Sequence, residues 1–253
     1  MTFHPSSLRP AIPLVALCLV AACAGQPPGS TPGDPYEATN RQIHEFNKSL
    51  DEAMLRVAGQ GAAQVPEEIR VPIVNFSDNV SLPGMALNGF LQGDIEGAVT
   101  NTLRFLINST VGLLGLGDPA TLIGLDEQET DFGETLAVWG VPEGAYVELP
   151  LLGPSTERDV VGRLVDFLID PLEHVGRPEM VEYGTAARVA ERIIERGTFG
   201  DTFDSVLYDS ADSYTQTRLI YLQNRRFELG MTDDDAYLDP YADPYIDPDE
   251  AAE

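Results

Sequence analysis

Between residues 87 and 106 apolar side chains return every three or four positions. Leu87, Phe90, Leu91, Ile95, Ala98, Val99, Leu103 and Leu106 form one face about five turns long, which predicts an amphipathic helix. Gly89, Gly93 and Gly97 stand four apart on an adjoining face. Glycine costs ~1 kcal/mol in a helix interior, so this spacing predicts close approach by a neighbouring backbone, as in small-xxx-small helix pairs. Residues 158–169 give a second amphipathic piece, with Val160, Val161, Leu164, Val165 and Leu168 on one side. Residues 178–196 give a third, with Val181, Ala187, Ala190, Ile193 and Ile194 expected inward and Arg188, Arg192 and Arg196 outward. A fourth covers 202–229, marked by Phe203, Val206, Leu207, Tyr214, Tyr221 and Leu222. Alternation with period two is scarce, since Tyr146-Val-Glu-Leu is short and Pro150 breaks it. The pattern predicts an all-α body in a single domain.

The most informative stretch is 103–125. From Phe105 to Gly117 it carries 13 residues without a charge, about 20 Å if helical. That is too short to span a bilayer, and suits either a buried core helix or a re-entrant hairpin. Gly112, Gly115, Gly117 and Asp118-Pro119 supply a turn, and an apolar return runs to Leu125.

Both ends of the chain read differently from the body. Residues 1–22 have the pattern of an export signal: Arg9, then an uncharged run from Ala11 to Ala22 of 12 residues. Leu19-Val20-Ala21-Ala22-Cys23 resembles a bacterial lipobox, in which the cysteine is acylated and becomes the new amino terminus. The alternative is an ordinary signal peptide cleaved after Ala22, leaving Cys23 as a spare thiol. If the lipobox is used, Cys18 departs with the signal and Cys23 becomes a thioether, so neither cysteine survives as a thiol. Acyl chains stabilise membrane attachment by ~0.8 kcal/mol per buried methylene. Ala24, where Asp would mark inner-membrane retention, favours sorting to the outer membrane. Residues 23–35 form a Gly/Pro/Ser tether and 36–230 the helical body. Residues 231–253 contain nine acidic residues, no basic one, and three Tyr-x-Asp-Pro units beginning at Tyr237, Tyr241 and Tyr245. Proline every fourth position forbids regular helix there, leaving a disordered tail that is either solvated or a docking segment for a basic partner.

Charge narrows the function. Fifteen Lys and Arg stand against 41 Asp and Glu, a net charge of −26. Such a chain lacks the clustered cations that neutralise nucleic-acid phosphates, and it lacks a polybasic patch for anionic lipid. Two cysteines and three histidines leave little for metal chemistry. No Gly-x-Ser-x-Gly, His-Glu-x-x-His, dinucleotide or phosphate-loop motif occurs. His44 near Glu45 and Asp51, and His174 near Glu173 and Asp170, read as surface pairs, while Arg158-Asp159 reads as an ion pair at a helix start. The sequence therefore argues for shape and apolar surface over enzymatic chemistry, with the acidity steering a basic partner.

These residues together resemble the MlaA (VacJ) family of outer-membrane lipoproteins. Asp34-Pro35-x-Glu37-x-x-Asn40-Arg41 and Phe46-Asn47-x-x-Leu50-Asp51 are similar to its amino-terminal signature. Val65-Pro66, Asn75-Phe76-x-x-Asn79 and Asn88-x-x-Leu91-Gln92-Gly93 follow in family order. Arg104-Phe105-x-x-Asn108-x-Thr110-x-Gly112-x-x-Gly115-Leu116-x-Asp118-x-Ala120 and Asp131-Phe132-Gly133-x-Thr135-Leu136-x-x-Trp139-Gly140-Val141 come next. Gly144-x-Tyr146-x-x-Leu149-Pro150-x-x-Gly153-Pro154-Ser155 and Arg158-Asp159 close the series, with Ala145 departing from the usual Pro. The resemblance covers about residues 34–228 and leaves out the acidic repeat.

The resemblance implies a ring or disc of amphipathic helices in the inner leaflet of the outer membrane of a Gram-negative bacterium, facing the periplasm. A central channel would take misplaced phospholipid from the outer leaflet and pass it to a soluble periplasmic carrier, in company with trimeric porins. No cofactor or metal is implied beyond the covalent lipid at Cys23 and the transient phospholipid. The 105–125 hairpin is then the candidate for a movable channel wall, with Gly112, Gly115 and Gly117 as hinges and Asn108 and Asp118 as polar lining. Arg104 is placed to meet a lipid phosphate. The alternative for all six residues is that they hold the ring together. Two other functions stay open: a structural lipoprotein or porin scaffold without transport, and a lipid hydrolase, which would release fatty acid.

Overall fold

The computed structural model describes residues 34–172 and 178–230. The export signal, Cys23, the tether to residue 33, His174 and the acidic tail lie outside the described residues. The fold takes hold at Asp34, which is fully buried and accepts hydrogen bonds from the Tyr214 hydroxyl and, at 3.3 Å, Asn40 Nδ2.

Helix α1 (Glu37–Leu50) runs through a π-helical turn (Asp51–Leu55) into α2 (Arg56–Ala63). There follow α3 (Glu67–Gln92), α4 (Ile95–Thr110), the single turn α5 (Pro119–Leu122) and α6 (Phe132–Val138). A hairpin of β1 (Tyr146–Leu149) and β2 (Gly153–Thr156) leads to α7 (Glu157–Ile169). Then come α8 (Pro178–Thr198), α9 (Gly200–Asp204), a second π-helical turn (Ser205–Asp209) and α10 (Ser213–Glu228). The body is mostly helical, as expected, with one small antiparallel sheet where Pro150 falls in the turn and not in a strand.

The helix predicted across 87–106 is two helices. Gly93 ends α3 in the left-handed region at φ +81°, and Asp94 caps α4 by accepting the Gly97 amide at 3.0 Å. Gly89 lies against Ala98, and Asn79 reaches Ser109 at 3.0 Å, so α3 and α4 run antiparallel. The glycine series thus builds a helical turn: Gly89 admits the neighbouring helix, Gly93 reverses the chain, and Gly97 makes room for the Asp94 carboxylate. Helix 202–229 is likewise broken, because Asp212 caps a new helix through the Thr215 amide at 3.2 Å. Side-chain caps of this kind are worth ~1 kcal/mol each.

Burial runs opposite to a water-soluble helical protein. Among the described residues, 19 buried residues are polar or charged against 11 apolar, and 31 large hydrophobic side chains are exposed. On α4 the buried side chains are Ala98, Asn101, Arg104 and Asn108, while Ile95, Val99, Leu103 and Leu106 face out. On α7 Arg158, Asp159 and Gly162 are buried, and Leu164, Phe167 and Leu168 are exposed. Periodicity located these faces and left their direction open. On α8 Ala187 and Ile194 point inward and Arg192 outward, as expected, but Arg196 is buried. It is drawn in by Asp51, at 2.7 and 2.9 Å, and by Asp204, at 2.6 Å. Among the described residues no helix is long and apolar enough to cross a membrane.

The ordinary core lies elsewhere, around Tyr146, Tyr214 and Leu222 with Tyr221 against them. Tyr146 meets Tyr214 and Tyr221 edge-on with ring centres 5.9 and 6.2 Å apart. Helix α1 closes this core by treating β1 as a strand would. Asn40 donates to the Tyr146 carbonyl and accepts from the Glu148 amide, both at 3.0 Å, and Asn47 does the same for Leu149 and Leu151 at 2.9 and 2.8 Å.

Candidate functional site

The six candidate residues of the 105–125 hairpin form one structure. Helix α4 ends by folding its last amides back: Val111 donates to the Ile107 carbonyl at 2.8 Å and Gly115 to the Asn108 carbonyl at 2.8 Å. The chain then turns through three consecutive left-handed residues, Leu113, Leu114 and Gly115, at φ +56°, +63° and +89°. For the two leucines that conformation costs ~1–2 kcal/mol each. Both leucines are about 70% exposed (73% and 68%), so no burial within the chain offsets the strain.

Two of the three glycines are demanded by space. A Cβ on Gly115 would come within 2.6 Å of the Asn79 side chain, and one on Gly112 would strike the carbonyl oxygens of Gly117 and Asn108. Gly117 differs: its Cβ would meet Gly112 only at 3.6 Å, an ordinary contact.

Arg104, Asn108 and Asp118 meet behind this turn. Asp118 accepts from Asn108 Nδ2 at 2.8 Å, from Arg104 Nη2 at 3.1 Å and from the Thr121 hydroxyl at 2.5 Å, and caps α5 through the Thr121 amide at 3.2 Å. Asn108 Oδ1 in turn accepts the Ala120 amide at 3.1 Å. Arg104 adds the Thr121 hydroxyl at 2.9 Å, the Leu125 carbonyl, and Glu127 at 3.5 Å. Burial alone would raise the Asp118 carboxyl, but the hydrogen bonds from Thr121 and Asn108 and the charge of Arg104 hold it below its ordinary value. The guanidinium is 5% exposed and turned onto its own hairpin.

Several members of this network carried no signal in the apolar pattern. Asn101, one turn before Arg104, clamps Gln128 by donating to its carbonyl at 2.7 Å and accepting its amide at 3.1 Å. Asn75 donates to the Leu116 carbonyl at 3.2 Å. The findable signal was the polar stripe Asn101, Arg104, Asn108 at helical spacing, which is the inner face of α4. Behind it Asp78 of α3 faces Glu127 and Glu191, and Ser77 donates to Glu191 at 2.6 Å. Burial first, then the charges of Glu127 and Glu191, push the Asp78 carboxyl up to about 7.

Other expectations are corrected by position. His44 does not pair with Glu45 or Asp51 at the surface; it is buried, and its ring nitrogens meet Glu148 and Ser213. Arg158 and Asp159 are buried together 3.6 Å apart at the start of α7, as a structural pair would be. A cavity of about 200 Å³ beside them is lined by Asp131, Asp159, Arg163, Tyr221, Asn224, Arg225 and Glu228. Its charges neutralise one another, with Arg225 at 2.6 Å from Asp131 and 3.3 Å from Asp159. Among the described residues no group of three or more His, Cys, Asp or Glu is placed to hold a metal ion.

Comparison with known proteins agrees over the same span. The family model described as MlaA lipoprotein matches residues 32–228. An uncharacterized protein of Rickettsia typhi is 33% identical over 187 residues, 73% of each chain. The intermembrane phospholipid transport system lipoprotein MlaA of Escherichia coli is 34% identical over 199 residues, 77% of each chain. A solved chain, from work on the structural basis for maintenance of bacterial outer-membrane lipid asymmetry, superposes with a TM-score of 0.67 at 34% identity. That match covers 78% of this chain and 98% of the solved one.

Proposed function

Since this chain belongs to the MlaA lipoprotein family, we propose that it removes phospholipid from the outer leaflet of the outer membrane and hands it to a soluble periplasmic carrier. The role of its relatives is phospholipid transport between membranes; the route and the handover are our reading for this chain. Acylated at Cys23, it would sit in the inner leaflet on the periplasmic side, beside a trimeric porin.

The observation that carries this reading is the inverted polarity of α4 and the hairpin. Asn101, Arg104 and Asn108 are inside, while Leu103, Leu106, Leu113, Leu114, Leu122 and Ile123 are exposed. In water so continuous an apolar surface is a liability; against acyl chains it is a solvation shell. A phospholipid crosses hydrocarbon slowly because its headgroup loses hydrogen bonds worth several kcal/mol each. A protein disc that keeps its polar groups inward lowers that barrier without nucleotide or covalent chemistry. The hairpin is the movable wall of the path, Gly112 and Gly115 set its turn, and the Arg104–Asp118–Asn108 cluster is the staple that holds it closed.

Outer-leaflet phospholipid, measured by headgroup labelling of intact cells, tests this. A deletion strain and a Gly115→Val strain should both accumulate it and become detergent-sensitive. Normal asymmetry in the deletion strain, or defective porin assembly with normal Gly115→Val behaviour, would contradict transport and favour a scaffold.

A further inference from the structure

Asp78 stands on α3 where three elements meet. Glu191 of α8 lies within hydrogen-bond reach of it, and Ser77 donates to the same Glu191 at 2.6 Å. Two carboxyl groups in such contact need a proton between them, because both ionised would repel at close range. From the third side comes Glu127, in the segment that joins α5 to α6. The other charged groups facing these three are mostly of the same sign. Asp118 of the hairpin, Glu129 of the joining segment and Glu195 of α8 add negative charge, against Arg104 of α4 and Arg192 of α8. Arg192 is largely exposed and engaged by Glu195 at 3.5 Å, and Arg104 is divided between Asp118 at 3.1 Å and Glu127 at 3.5 Å. Burial, then the charges of Glu127 and Glu191, hold the Asp78 carboxyl up at about 7. Burial raises that of Glu127 as well, although Arg104 opposes it.

Glu127 also belongs to the base of the hairpin. Arg104 reaches from α4 to Asp118, to the Leu125 carbonyl and to Glu127, and Asn101 clamps Gln128 at 2.7 and 3.1 Å. Helices α3 and α8 are 26 and 21 residues long, whereas residues 125–131 lie in no helix or strand. Repulsion inside the carboxyl cluster is therefore relieved most readily by moving the joining segment. The tip of the hairpin is held from the same α3, by Asn75 on the Leu116 carbonyl at 3.2 Å and Asn79 on Ser109 at 3.0 Å. Closure there already has its costs. Leu113 and Leu114 are left-handed, and Asn79 Oδ1 and Arg104 Nε are buried without a hydrogen-bond partner. A closed form with so small a margin responds to a change of one charge.

Resting on the reading of the hairpin as a movable wall, we propose that Asp78, Glu191 and Glu127 form a proton-operated latch on it. With a proton held between Asp78 and Glu191, one negative charge fewer faces Glu127, and the 125–128 segment seats against Arg104 and Asn101. Loss of that proton sets three carboxylates against one another. Glu127 then withdraws, Leu125 and Gln128 leave their clamps, and the hairpin opens more often. The direction follows from linkage. A carboxyl held above its ordinary value in the closed form stabilises that form fully below the ordinary value, and the advantage is lost as pH rises through about 7. Acid closes the wall and alkali opens it.

The test is hydrogen exchange of the full-length lipoprotein in phospholipid nanodiscs at pH 5 and pH 8, each rate divided by the intrinsic rate at that pH. Protection of residues 111–128 should fall by about tenfold or more from pH 5 to pH 8, and should stay below that of residues 146–156 at both values. Asp78→Asn keeps a donor for Glu191 and cannot ionise, so it should hold the parent's pH 5 protection at pH 8. Glu127→Gln should shrink the fall. Protection of the parent hairpin that does not change with pH overturns the latch without any variant. A fall that survives Asp78→Asn overturns it too, as does equal protection of 111–128 and 146–156, because the opening would then be global. Outer-leaflet phospholipid in Asp78→Asn cells at pH 8 separates the latch from the transport reading. Accumulation is expected if the latched hairpin is the transport wall. Normal asymmetry beside a pH-dependent hairpin overturns the transport reading and leaves the latch standing.

Discussion

In two regions of this molecule a helix asparagine stands in for a missing strand, and the surroundings could hardly differ more. In the aromatic hub, Asn40 and Asn47 of α1 hold β1 with paired amide bonds, backed by Tyr146, Tyr214 and Leu222. In the hairpin region, Asn101 and Asn108 of α4 hold Gln128 and the Asp118–Ala120 turn in a similar way. Behind them are carboxylates and an arginine, and the nearby buried apolar groups are as small as Ala98 and Ala120. Buried polar groups are expensive unless paired, so the hairpin is held by a network that must remain complete. The hub tolerates loss better, because apolar burial shares the load. The difference separates a frame held by apolar packing from a hairpin held by polar pairs, the arrangement from which local opening is expected first.

The sharpest way to break this comparison is at the turn. Gly112→Ala should open the hairpin, since its methyl would strike two carbonyl oxygens, and the expected cost is ~3 kcal/mol or more of local stability. Gly117→Ala, one turn on, should change stability by under ~0.5 kcal/mol because its Cβ has room. Hydrogen exchange of residues 111–125 reads both; equal effects would sink the steric assignment of the hinge.

A smaller effect comes from the clamps. Asn108→Ala leaves Asp118 and the Ala120 amide short of a partner, at ~1–3 kcal/mol. Exchange should accelerate over 111–125 with little change in the global melt. Asn40→Ala carries a similar local cost, but it should appear as a lower Tm of the whole chain. If both variants lower Tm alike, the two regions are one cooperative unit and the comparison fails.

The smallest effect is on pH. Asp78, held up to about 7 by burial and by Glu127 and Glu191, keeps a proton in the folded chain that the unfolded chain has released. Stability should therefore fall as pH rises from the ordinary carboxylate range through 7. Asp78→Asn removes that slope: it should melt ~2–4 °C above the parent at pH 8 and together with it at pH 4. A variant that melts lower at both values would contradict the cluster's role.

How much of this was legible in the sequence depended on the physical signal. Helices at 158–169 and 178–196 announced themselves by period, because a period survives whichever way a face points. The direction of 158–169 did not, since Leu164 and Leu168 facing out repeat as Leu facing a core would. The break at Gly93-Asp94 was hidden because Leu91 and Ile95 keep the apolar spacing across the turn, both on the outside. Motif order brought Arg104, Asn108 and Asp118 into one candidate site, and they do meet. The pairing of His44 with Glu148 and Ser213 was illegible, because partners 104 and 169 residues away leave no local mark.

The central claim is that the outer face of α4 and the hairpin lies in acyl chains. A single cysteine at Leu106 or Leu114, carrying an environment-sensitive fluorophore in membranes with doxyl-labelled lipid, tests it directly against the same label at exposed Gln216 on α10. The account predicts strong quenching at both leucines and weak quenching at Gln216. Equal quenching at all three positions would contradict it.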